Sequence, residues 1–223
     1  MDLDHYDGMA KLFAYPGPSF FIDVRQVVDF LKERYPSAAE DAQYFYDHLP
    51  HQDLDSMQEL FTRSFDVQAI TTLDAGYVLF GEDYKRGKLL SNLNREHAKA
   101  HNDCGMELAD HLPNLLRLIA KSNDAELIRE LAGEILAPAL QKMILEFDPR
   151  RQVEKNKLYK KHYKTLIELS AHNAAIYSYA LKALFSVLKQ DFQIREEVLK
   201  QYAGHDFLNS VGAEMSVEKS ANE

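Results

Sequence analysis

Apolar residues return every three or four positions through most of this chain, and the rhythm resets at prolines. Met9, Leu12 and Phe13 precede Pro16-Gly17-Pro18; Phe21, Val24, Val27, Val28 and Leu31 precede Pro36; Tyr44, Phe45 and Leu49 precede Pro50. This period gathers apolar side chains on one side of a helix. The alternating β-branched runs that mark strands are nearly absent. The pattern therefore predicts an all-α fold, a single-domain helical bundle of about 8–10 helices. It occupies residues 1–192, and 193–223 form a tail, partly helical and then disordered, where periodicity gives way to small polar residues. With 223 residues and 46% hydrophobic content, one core can form without a disulfide or a structural metal.

Local signals place the later helices. Ser37 is expected to cap the third helix after Pro36 stops the second, and Asp53 or Asp55 to begin the fourth. Asp74 opens a short fifth helix through Phe80, with Gly81 as a left-handed C-cap. Asp83 to Ala100 is a sixth with one wet face, and Pro113 stands in the first turn of a seventh. Asp124 to Phe147 is helical throughout, with a kink or break expected at Pro138. Asn156 to Gln190 reads as the longest helix.

The net charge of −9 is uneven, and its distribution narrows the partners. Residues 1–60 hold 12 acids against 4 bases, whereas Arg150 to Lys164 contains seven bases, read as a mobile loop plus the first turns of the long helix. An acidic surface disfavours nucleic acid, whose binding rests on neutralised phosphates, and suits a basic peptide. The first residues carry acids where a secretory leader carries bases, Cys104 has no cysteine to pair with, and no apolar run approaches the ~20 residues that cross a bilayer. A cytoplasmic protein without direct membrane insertion is expected.

No G-x-S-x-G, G-x-x-x-x-G-K-[ST] or G-x-G-x-x-G motif occurs, so no catalytic residue is assigned. His97, His101, Cys104, Glu107 and His111 fall within fifteen residues, and His97 and His101 at i, i+4 would share a helix face as in many metal sites. Asn102-Asp103 and Gly105 end that helix before Cys104, so the cluster reads as surface histidines on a solvated face. A helical metal-dependent enzyme built on these five residues is the alternative.

Two segments remain: the aromatic-apolar turn Gly76 to Glu82, and the polar constellation Glu107 to Pro113 between helices. Taken with Phe65-Asp66 and Asp83-Tyr84-Lys85-Arg86-Gly87, they give the series F-D, Y-x-L-F-G, D-Y-K-R-G and E-L-x-D-H-L-P over about residues 9–145. This series resembles the TorD/NarJ-type redox-enzyme maturation chaperones, and within them the nitrate reductase delta-subunit branch. The resemblance implies an all-α assembly chaperone with no cofactor or metal of its own. Such a protein binds the N-terminal peptide of a molybdenum-containing catalytic subunit of the dimethyl sulfoxide reductase family, alongside molybdenum cofactor biosynthesis proteins, and supports cofactor insertion before export or membrane docking. The family's E-x-P-D-H hinge falls on Glu107, Asp110 and His111, with Ala109 in place of its proline, which removes a fixed φ. Its peptide groove falls on Tyr77 and Phe80. A basic-apolar peptide helix needs an apolar trough with acids at its rim. Tyr77, Leu79 and Phe80 are expected to supply the trough, Glu107 and Asp110 the rim, and His111 an imidazole, the side chain whose charge changes nearest neutral pH.

Overall fold

In the computed structural model of the protein, residues 2–50, 53–162 and 175–194 are described. Helix α1 (His5–Ala10) runs into a 3-10 turn at Lys11–Phe13, followed by α2 (Phe20–Arg34) and α3 (Pro36–Asp47). Pro36 starts α3: it stands in the first turn, where a missing N–H goes unneeded, and Tyr35 rather than Ser37 takes the N-cap position. In α2 it is Phe20 that joins Val24, Val27, Val28 and Leu31 in the core, while Phe21 is half-buried at its edge.

Asp53 caps α4 (Leu54–Phe65), its carboxylate accepting the Ser56 N–H at 3.1 Å. Helix α5 (Ala75–Phe80) ends at Gly81 with φ 58° and ψ −139°, a region open almost only to glycine and different from the left-handed cap expected there. Asp83 caps α6 (Tyr84–Lys99), accepting from the Lys85 N–H at 2.8 Å. Helix α7 is Leu112–Lys121. Helix α8 (Ala125–Glu130) passes through a π-helical segment, Leu131–Leu136, into α9 (Ala137–Glu146), so Pro138 does not break the helix. The widened turn ahead of it accommodates the ring that a regular α-turn would exclude.

Helix α10 is Pro149–His162 and α11 is Ile176–Phe192. The single helix expected over 156–190 thus appears at its two ends, 163–174 and the tail from 195 lying outside the described residues. The basic stretch, expected to include a loop, is helical from Arg150 to His162. Lys155 within it is buried, donating to Glu146 at 2.9 Å and to the Ile70 carbonyl, so part of that positive charge is structural.

Helix α11 lies at the centre, against α3 and α9; α2 covers α3, α1 lies on α7, and α5 rests on α9 and α6. Tyr177 anchors the interior, its ring 4.7 Å from Phe65, 5.2 Å from Phe45 and 5.8 Å from Phe61. At the other end of α11, Asp191 accepts hydrogen bonds from His5 Nε2 (2.9 Å), Tyr6 (2.9 Å) and Tyr35 (2.8 Å), binding the first helices to the last. Among the described residues there is no strand, and no helix is long and apolar enough to cross a membrane.

Candidate functional site

The chain leaves α6 through His101, at φ 50°, and Gly105, at φ 61°, two left-handed steps that turn it back on itself. The returning segment meets the start of α5 in an isolated antiparallel bridge between Asp74 and His111. The Ala75 N–H donates to the Asp110 carbonyl and the Leu112 N–H to the Leu73 carbonyl, both at 2.9 Å. Segments far apart in sequence thereby meet at one place, which gathers Asp74, Tyr77, Arg86, Glu107, His111 and the buried Asp110.

Arg86 is at the middle of this group. Its Nε donates to Asp110 Oδ2 and its Nη2 to Asp74 Oδ2, each at 3.0 Å; Nη1 lies 3.6 Å from Glu82, and the guanidinium carbon sits 5.1 Å from the centre of the Tyr77 ring. His111 Nδ1 donates to the other Asp74 oxygen at 3.0 Å. The two aspartates are perturbed in opposite directions. Burial would raise Asp74, but the hydrogen bond and charge of His111, with Arg86 behind them, hold its carboxyl below the usual range. Burial dominates at Asp110 and pushes its carboxyl up, against the pull of Arg86. Gly76 lets α5 approach: a Cβ there would lie 2.6 Å from Asp110 Oδ2.

The expected site residues divide accordingly. Tyr77 and Phe80 are half-buried on α5, the former beneath Arg86 and the latter against the core. Leu79 is a core residue and supplies no trough. Glu107 is exposed, its carboxylate 3.9 Å from His111. Asp110 is 0% exposed, so it is neither a rim acid nor a helix cap; His111 occupies the N-cap position of α7 without a side-chain capping bond. Asp66, within reach of the Glu107 charge, and Glu82, 3.6 Å from Arg86, are further exposed acids here. Partial burial raises the Asp66 carboxyl, and the charges of Glu107 and Asp74 raise it further against His111. Val67 follows Asp66 in the chain, and Met106 and Leu108 flank Glu107, all three with exposed apolar side chains.

The histidine cluster of the sequence is not a cluster in space. His97 is not on a solvated face: it is 3% exposed, its Nε2 donating to the Ala109 carbonyl and its Nδ1 accepting from Asn102, both at 2.9 Å. Burial lowers its pKa, partly opposed by the Ala109 hydrogen bond and reinforced by Lys121. His101 is exposed, and among the described residues no three His, Cys, Asp or Glu side chains are arranged to hold a metal ion. Buried Asn114 donates to the Leu108 carbonyl at 3.0 Å, and Asn102 to the Asn114 carbonyl at 3.0 Å. With His97 they grip the hinge loop where proline would have stiffened it. Sequence reasoning missed Arg86, Asp74, Asn102 and Asn114 as parts of this site. The only signal for Arg86 was its place in the D-Y-K-R-G run; the two asparagines carried none.

No protein-family model matches the chain, and no curated protein matches it either.

Proposed function

We propose that this protein is a client-specific assembly chaperone. It holds the N-terminal peptide of a molybdenum-containing catalytic subunit of the dimethyl sulfoxide reductase type in the cytoplasm while the cofactor is inserted. The motif resemblance supports this reading. The observation that carries it is that exposed acids stand next to exposed apolar residues in the chain: Asp66 beside Val67, and Glu107 between Met106 and Leu108, with Glu82 exposed at Arg86. A peptide with basic residues next to an apolar run is complementary to such a surface. Tyr77 and Phe80, half-buried on α5, are proposed to add to its apolar part. The molybdoenzyme as client comes from the resemblance alone.

Titration calorimetry with the N-terminal peptide of the molybdoenzyme subunit encoded nearest to this chain tests the proposal. Wild type is expected to bind. Glu107→Gln and Asp66→Asn should each weaken binding by about 0.2–1 kcal/mol, the worth of an exposed ion pair, at unchanged melting temperature. Phe80→Ala should lose more affinity than stability. A wild type that fails to bind the peptide, or acid-neutralised variants that bind as wild type does, would overturn the reading.

A further inference from the structure

Arg86 occupies the position of a ligand. A guanidinium is planar, with donors along its edges and faces that stack on aromatic rings. Around Arg86, Asp110 and Asp74 accept along the edges at 3.0 Å, Glu82 stands 3.6 Å from the remaining nitrogen, and Tyr77 offers a ring 5.1 Å from the guanidinium carbon. The receptor holds more acceptor capacity than its occupant uses. Asp110 meets Arg86 through Oδ2 alone, and Oδ1 of the same fully buried carboxylate has no hydrogen-bond partner. An arginine approaching side-on would use both oxygens. The wall toward α5 is backbone at Gly76, where an added Cβ would stand 2.6 Å from Asp110 Oδ2 and 3.4 Å from the Arg86 side chain. The box meets solvent on its Glu82 side: Arg86 lies in the first turn of α6 with 12% of its side chain exposed, and the Glu82 side chain is 72% exposed. Its side chain can swing out by rotamer change while the helix stays intact.

We propose that this box is a receptor for a peptide arginine, occupied in the free protein by Arg86 as an internal stand-in, and that a partner's arginine binds by exchange with it. Only the identity of the peptide rests on the function proposed above; the box is a property of the fold. Exchange explains how a fully buried carboxylate takes part in recognition while a guanidinium compensates it in both the free and the bound state. It also sets specificity. Only a ligand that matches the edges and face of a guanidinium competes with Arg86, so a lysine, a compact point charge, exchanges poorly.

The box is tested first without any peptide, by thermal melts of full-length Arg86→Ala with methylguanidinium chloride or methylammonium chloride at equal ionic strength. The variant should melt below wild type and regain melting temperature saturably with methylguanidinium but not methylammonium, while wild type responds to neither. Equal responses to the two cations, or equal responses of variant and wild type, would overturn the proposal. Should Arg86→Ala fail to fold, Arg86→Lys retains a charge in the box. It should bind an arginine-bearing client peptide several-fold more tightly than wild type, and lose that gain when the peptide arginine is changed to lysine; unchanged affinity defeats the exchange. Rescue by methylguanidinium in a protein that binds no client peptide would leave the receptor standing and remove the chaperone reading. Glu107-dependent peptide binding without rescue would do the reverse.

Discussion

Gly76 and Asp110 constrain one another at the scale of single atoms. Alanine is the better helix former by about 1 kcal/mol, and at an open position that preference decides the outcome. Gly87 on α6 is such a position, with nothing within 4 Å of an added Cβ. At Gly76 the new methyl would meet a carboxylate oxygen at 2.6 Å that Arg86 holds in place, and overpacking typically costs about 1–3 kcal/mol. Gly87→Ala should therefore raise the urea midpoint and Gly76→Ala lower it, although propensity alone ranks both as gains. A higher midpoint for Gly76→Ala would show that the Arg86–Asp110 pair is loose. The same pair changes the meaning of Asp110→Asn. For a cap the exchange would be nearly silent, since asparagine caps as well as aspartate; here it removes the charge opposite Arg86.

Among the elements, the hinge loop depends most on its neighbours. It has little regular structure of its own; His97 of α6 and Asn114 of α7 fix it, and Asn102 within the loop bonds to both. This makes its stability depend on pH. His97 is held neutral, with its pKa below the ordinary 6.5, because burial opposes the charge and Nδ1 is committed to accepting from Asn102. Above that value both folded and unfolded chains are neutral at this residue. As pH falls through about 6.5, the unfolded chain takes up a proton that the folded one refuses, and stability declines until the lower folded pKa is reached. Melting temperature should thus fall more steeply between pH 7.5 and pH 5.5 (about one unit either side of that value) in wild type than in His97→Gln. Parallel slopes would mean that His97 accepts a proton within the fold.

For the whole molecule, closure rests on Asp191, where α11 receives His5, Tyr6 and Tyr35 from the first helices. Burial alone would raise this carboxyl, yet the hydrogen bonds from His5, Tyr35 and Tyr6 hold it below the usual 3.8. A depressed carboxyl contributes stability that is complete above the unfolded pKa and is lost as pH falls through the folded one. Asp191→Asn should consequently melt well below wild type near neutrality, and the gap should close below about pH 4. A gap that persists in acid would place the contribution of Asp191 in shape rather than charge.

The sequence by itself determined the helices. Apolar spacing, aspartate caps at Asp53 and Asp83, and prolines at helix starts are local instructions that act within one turn, so the elements and the all-α class could be read from them. The residues of the hinge were also visible, because Glu107, Asp110 and His111 are polar in a break between apolar repeats. Only the tertiary structure decided which of them face water. Asp110 reads like Glu107 in one dimension, yet one is fully buried against Arg86 and the other open to solvent. That difference arises from a bridge between residues 74 and 111 and an ion pair between 86 and 110. Contacts of that span are set by how the helices assemble, and no periodicity within a single helix encodes them.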